Sequence, residues 1–192
     1  MSLPYLVLID LQKDFYHQRG TYARHGRPLA PIQTMLKELI ETSTGCQRVV
    51  RIRSSYLPGQ FDDMPELCLG GSFGEQWHPD LDNGPLLCKH NHSGFPALKS
   101  YFERPTPIVL SGVCTHRCVK ATLEDLVKHN WPVKVYERGV ASCGKRQQEH
   151  QSCLKKWREQ NLVVNNLEMV CELQTDPQKM NSIISQRSCK GV

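Results

Sequence analysis

At 192 residues, 39% hydrophobic and 22% charged, the chain has the balance of a soluble globular domain large enough to bury a core without covalent staples. Its formal net charge of +5 comes from scattered Lys and Arg rather than a basic stripe interleaved with aromatics, so nucleic acid is not an expected partner. No apolar run reaches membrane-spanning length and no secretory leader follows Met1, so neither a membrane span nor export is expected. Nine cysteines, an odd count with no paired C-x-x-C, fit free thiols in a reducing cytoplasm.

Taken in order, Tyr5-Leu-Val-Leu-Ile9 is a continuous apolar run, as a parallel strand covered on both faces requires. It delivers Asp10, followed by Leu11-Gln12-Lys13-Asp14-Phe15. A carboxylate at the end of a buried strand costs free energy unless paired, and that end of a parallel sheet is where ligands bind. An Asp that caps the next turn would serve as well. Ile32, Met35, Leu36, Leu39 and Ile40 share a helical face, with Pro31 suited to the first turn and Gly45 to the stop. Arg48 to Arg53 reads as a second strand, and Arg53 at its end either meets an anionic or carbonyl group or is solvated. Residues 54–85 form a long connection without periodicity, the kind of segment that serves as a lid or binding loop. Its aromatics Phe73 and Trp77 suit a pocket wall or the edge of the core equally. Pro85 to Cys88 is a short third strand that delivers Lys89, by itself the picture of a solvated flank. His90 and His92 follow on a loop and are assigned solvated or rim positions, before a short helix from Pro96 to Phe102.

Ile108-Val-Leu110 is a buried strand that turns at Ser111-Gly112. From Val119 the apolar spacing becomes helical through Leu123, Leu126 and Val127. Cys118 therefore falls in a first helical turn, with Thr115 as a plausible N-cap. Free backbone N–H groups and the helix dipole there favour a thiolate and could hold an oxyanion. A small cysteine packing a strand–helix corner explains the position too. Val133 to Tyr136 is a further strand. His150, Cys153, Leu154 and Trp157 line one helix face, on which His150 reads as a packed histidine. A last strand lies at Leu162–Val164 or Glu168–Cys171, and a short amphipathic helix with Met180, Ile183 and Ile184 follows. The alternation of strands and helices argues an α/β three-layer sandwich on a mainly parallel sheet. We expect a domain over residues 1–173 and a C-terminal extension over 174–192.

Three stretches together resemble one family. Gly112-Val-Cys-Thr115-His-Arg-Cys118-Val119 resembles the Gly-Val-x-Thr-x-x-Cys-Val segment of the isochorismatase-like cysteine hydrolases, which include nicotinamidases. Leu8-Ile-Asp10-Leu-Gln12-Lys-Asp14-Phe15 resembles the family's opening motif, and Lys89 with Ser93-Gly94-Phe95 its Lys-x-x-x-Ser-Gly/Ala-Phe pattern. Leu69 to Leu81 is similar to the Gly-rich segment that crosses the active-site mouth. The resemblance implies a six-stranded sheet of order 3-2-1-4-5-6 and a catalytic set of Asp10, Lys89 and Cys118. It further implies an oxyanion hole from the backbone of Cys114 and Cys118, with a non-proline cis bond at Val113–Cys114. Asp14 would be structural, and Phe15, Arg53, Phe73, Trp77 and Phe95 would contact the substrate. Glu137 stands where the family usually has Asp.

The implied activity is cleavage of a C–N bond in a small amide, ureide or carbamoyl compound through a thioester. The alternatives are enol-ether hydrolysis, as in isochorismatases, or a catalytically idle binding or scaffold protein. Nicotinamidases carry an Asp-x-His pair and further histidines after the second strand to bind a metal. Here Ser54-Ser-Tyr-Leu-Pro-Gly-Gln-Phe61 offers no such ligands, so we expect no metal, no cofactor and a substrate other than nicotinamide. The resemblance also implies a homo-oligomer.

Overall fold

The computed structural model describes residues 3–168 and residue 170. Strand β1 (Tyr5–Ile9) is its centre. Leu6 and Leu8 point into one apolar layer, Val7 and Ile9 into the other, and all four are fully buried. The strand is also interior to the sheet, flanked by β2 (Val49–Ser54) and by β4, which runs from Ile108 to Val113. The sheet is completed by β3 (Leu86–Lys89), β5 (Val133–Ala141) and β6 (Val163–Val164). All neighbours are parallel, in the order β3-β2-β1-β4-β5-β6. The order reverses between β1 and β4, and at such a switch point the carboxyl ends of the strands open a crevice.

Helices α1 (Lys13–Tyr16), α2 (Thr21–Arg24) and α3 (Ala30–Ser43) cover one face. Helices α4 (Phe95–Tyr101), α5 (Lys120–Lys128) and α6 (Gln147–Glu159) cover the other. In α3 the buried side chains are Ile32, Met35, Leu36 and Leu39, at the spacing that puts them on one stripe. Among the described residues no helix is long and apolar enough to cross a membrane.

The structure departs from the sequence reading in several places. There is no turn at Ser111-Gly112, because β4 continues through both residues to Val113. Gly112 has φ +122° and pairs with Ile9, and a Cβ there would lie 2.1 Å from the Ile9 carbonyl oxygen. Only glycine lets the backbones approach this closely, and the register with β5 shifts at the same point. Thr115 is not an N-cap. Residues Thr115–Val119 form a π-helical turn closed by Val119 N–H donating to Cys114 O at 3.2 Å, and Thr115 Oγ1 instead bonds His150 Nδ1 at 2.8 Å. Strand β5 runs on to Ala141, which places Glu137 in the sheet, where it pairs with Arg158 of α6. That pairing accounts for an acid at this position. Of the two alternatives for the last strand, Val163–Val164 is the one paired with β5. The C-terminal helix expected around Met180 lies outside the described residues. Among the described residues six cysteines are free thiols and Cys46 is disulfide-bonded, against the expectation of free thiols throughout.

Candidate active site

Asp10 leaves β1 with φ 55°, a left-handed backbone that a short polar side chain tolerates better than most. Its N–H still donates to Ile52 O at 2.9 Å, so the strand is held while the carboxylate turns into the crevice. Lys89 ends β3, two strands away, in register with Ser54 of β2. Its long side chain passes the end of β2 and brings Nζ to 3.0 Å from Asp10 Oδ2, both groups being buried. The ammonium donates to Ser54 Oγ at 2.7 Å, Tyr56 OH at 3.1 Å and Asn91 O at 3.1 Å. Those contacts use all of its N–H groups. Asp10 Oδ2 therefore faces the positive charge without a well-directed hydrogen bond, while Oδ1 accepts from Ser54 Oγ at 2.9 Å. One carboxylate oxygen is tied down and the other has a lone pair to spare.

Cys118 meets this pair from the π-helical turn after β4. Its thiol is buried within the electrostatic reach of Asp10 and Lys89, and Sγ lies 3.8 Å from Tyr56 OH and 3.8 Å from His92 Nδ1. Burial pushes the thiol up to about 11; Asp10 adds to the rise, and Lys89 and Tyr56 offset part of it. The free N–H groups and dipole of the following helix act in the opposite direction, toward the thiolate. Desolvation outweighs the local dipole, so the group at rest is a thiol beside a base. Burial pulls Lys89 down, but Asp10, with Cys118 and Tyr56, more than compensates and holds it well above the ordinary lysine range. His92 is lowered, by burial first and then by Lys89 and Arg117, and is neutral at pH 7. Beneath the sulfur, the Val113–Cys114 peptide bond is cis and Cys114 Sγ lies 2.9 Å from Tyr22 OH.

The other expected residues fall as follows. Asp14 accepts Thr21 N–H at 2.8 Å and Cys68 N–H at 2.6 Å, pinning the long loop to α1. Phe15 packs edge-on to Tyr22, one layer behind Cys114. Arg53 is half-buried, with Nη1 3.7 Å from Glu75 Oε2. Phe73 lies against His17 with Lys13 and Arg19 over its ring, and Trp77 donates Nε1–H to Leu81 O at 2.9 Å. Phe95 stacks on His129 and meets Trp131 edge-on, inside the layer that also holds Cys118. None of these ring contacts is with Asp10, Lys89 or Cys118. The groups that do surround the cluster are Ser54, Tyr56 and His92, with Phe61 stacked on His92 at 5.2 Å between centroids and edge-on to Tyr56. Sequence reasoning gave Ser54, Tyr56 and Phe61 no role and left His92 as either solvated or at the pocket rim, and the second of these is where it stands. The available signal was that Ser54-x-Tyr56 leaves β2 where a binding pair would stand. Gln12 was quoted but given no role. Its side chain bonds Ser54 through both N–H (2.8 Å) and C=O (2.8 Å), fixing the end of β2 to the turn after β1.

The residues do not fit a divalent metal of the kind nicotinamidases hold. Ser54 and Tyr56 offer hydroxyls already engaged by an ammonium, and a cation beside Asp10 would meet the like charge of Lys89. Among the described residues no group of three or more His, Cys, Asp or Glu side chains is placed to hold a metal ion.

A family model for the isochorismatase domain matches residues 4–166. Among solved structures, the fold is similar to nicotinamidase from Bacillus subtilis, with 19% identity and TM-score 0.69, over 85% of this chain and 99% of that one. Pyrazinamidase of Pyrococcus horikoshii in complex with zinc is similar at 20% identity and TM-score 0.68, over 85% and 99%. N-carbamoylsarcosine amidase from Thermoplasma acidophilum is similar at 19% identity and TM-score 0.60, over 85% and 95%. No curated protein sequence matches the chain significantly. With the expected sheet order in place and a domain match spanning nearly all of the described residues, the chain belongs to the isochorismatase family of hydrolases.

Proposed function

We propose that the protein is a cysteine hydrolase that cleaves a C–N bond of a small amide, ureide or carbamoyl compound, with Cys118 as nucleophile. The observation that carries the reading is the meeting of Asp10, Lys89 and Cys118 from three separate strand ends. A buried thiol that rests protonated needs a base in contact, and Asp10 Oδ2 is the oxygen with capacity to spare. In this mechanism Asp10 takes the thiol proton and Lys89 stabilises the sulfur anion. The thiolate then attacks the carbonyl, and the backbone N–H groups of Cys114 and Cys118 hold the oxyanion. Each such donor is typically worth about 3 kcal/mol in the transition state. Asp10 returns its proton to the leaving nitrogen and then activates the water that opens the thioester. None of these steps is routed through a metal.

The test is a mass-spectrometric screen of small amides and ureides with wild-type and Cys118→Ala protein. An acyl adduct trapped on residue 118, together with loss of turnover in Cys118→Ala, is expected. Retained turnover in Cys118→Ala would instead favour enol-ether hydrolysis, which needs Asp10 and Lys89 but not the sulfur. Absence of both adduct and turnover, with a thiol no more reactive than a free peptide cysteine, would leave a binding or scaffold protein.

A further inference from the structure

The hydroxyls beside Cys118 carry fewer protons than the contacts they make. Ser54 has one proton and two oxygens within reach, Asp10 Oδ1 at 2.9 Å and Tyr56 OH at 2.8 Å. An ionised carboxylate can only accept, so while Asp10 is charged it claims the Ser54 proton. The Ser54–Tyr56 contact must then be bridged by the phenolic proton, which points away from the sulfur. Once Asp10 has taken the thiol proton, its claim on Ser54 weakens. Ser54 can then donate to Tyr56, and the phenolic proton is free to turn to Sγ at 3.8 Å. Lys89 donates to both oxygens in either arrangement, so neither is left short of a partner.

We propose that Ser54 and Tyr56 form a hydroxyl relay whose direction is set by the charge on Asp10, and that Tyr56 is a catalytic residue donating a hydrogen bond, its O–H bond intact, to the Cys118 thiolate. One S–H bond breaks and one O–H bond forms on Asp10; the two hydroxyl protons only rotate about their C–O bonds. A strong donor reaches the sulfur when it is charged and withdraws when it is a thiol, which is the differential interaction that speeds a step rather than merely binding its reactant. The relay rests on the reading of Cys118 as nucleophile.

The titratable and charged groups around the sulfur come from every element packed on it. Asp10 follows β1, Lys89 and His92 follow β3, Tyr56 and Cys68 come from the long loop, and Cys114 and Tyr22 lie beneath. Burial raises Cys68, Cys114 and Tyr22, so they stay neutral across the range in which Cys118 would be assayed. His92 titrates below its ordinary value and can be separated by working above about pH 7.

The experiment follows iodoacetamide alkylation of residue 118 against pH by mass spectrometry, on full-length wild type, Tyr56→Phe, and protein with 3-fluorotyrosine at position 56. Tyr56→Phe is expected to alkylate about tenfold more slowly near pH 8, with the ionisation midpoint raised by about one pH unit. The fluorinated phenol, a stronger donor at nearly unchanged size, is expected to alkylate faster than wild type at the same pH. Identical pH profiles in all three proteins, whatever their thermal midpoints, would reduce Tyr56 to a space-filling role and overturn the relay. A wild-type thiol unreactive at every pH would overturn the nucleophile reading first and the relay with it, so the two failures are told apart.

Discussion

Asp10 and Lys89 are a fully desolvated ion pair, and their cost and benefit are both set by that fact. Removing one partner leaves the other charged and buried, which typically costs about 3–5 kcal/mol, whereas removing both can be close to neutral. Lys89→Met is therefore expected to lower unfolding free energy by about that amount in chemical denaturation, and Asp10→Asn added to it to recover part of the loss. His116 makes a separate prediction. Its ring is pushed down to about 4, by burial first and then by Arg117, Arg146 and Arg27, against the opposing pull of Glu149, while Nδ1 bonds Ser142 Oγ at 2.8 Å. The native ring stays neutral where the unfolded one, near pH 6.5, takes up a proton. Its contribution to stability is thus present above about pH 6.5 and lost as the pH falls through about 4. Thermal midpoints measured down that range should fall less steeply for His116→Gln than for wild type. At the alkaline end the sign reverses for Cys118, raised to about 11 in the fold. Its contribution is complete below the unfolded thiol value near pH 8.5 and lost as the pH rises through about 11, a loss that Cys118→Ala should remove.

At the scale of elements, the π-helical turn and the end of β4 place the sulfur. Gly112 lets β4 run against Ile9, so Gly112→Ala would force the strands apart as well as strain a residue at φ +122°. A destabilisation of about 2 kcal/mol or more is expected in urea melts, with activity lost beyond what the unfolded fraction explains. The loop over residues 54–78 depends on Asp14 in the same way. A Cβ on Gly74 would lie 2.1 Å from the Asp14 carboxyl, so that loop and carboxylate are fitted to each other. Asp14→Ala should speed proteolysis within residues 54–78 while leaving the sheet intact, read as cleavage sites by mass spectrometry.

For the whole molecule, the division between what was legible in the chain and what was not follows from the range of the forces involved. Local apolar patterning determined by itself that β1 is buried on both faces, that α3 presents Ile32, Met35, Leu36 and Leu39 to a core, and that strands and helices alternate. The positions of Asp10, Lys89 and Cys118 at element ends were equally readable, because a polar group that terminates an apolar run is visible without coordinates. The end of β4, the π-helical turn and the length of β5 were not. Each depends on a partner distant in sequence: Ile9 for Gly112, His150 for Thr115, β4 for residues 137–141. The balance that keeps Cys118 protonated at rest was not readable for the same reason. A helix-end dipole is a local feature, whereas the desolvation that outweighs it comes from layers assembled out of the whole chain. Ser54, Tyr56 and His92 looked like loop residues until the sheet brought β2 and β3 side by side. Sequence thus settled which chemical groups the protein carries and at which strand ends they stand. Packing alone decided which of them touch and which hold their protons, because burial and hydrogen-bond distance exist only once separate segments share one interior.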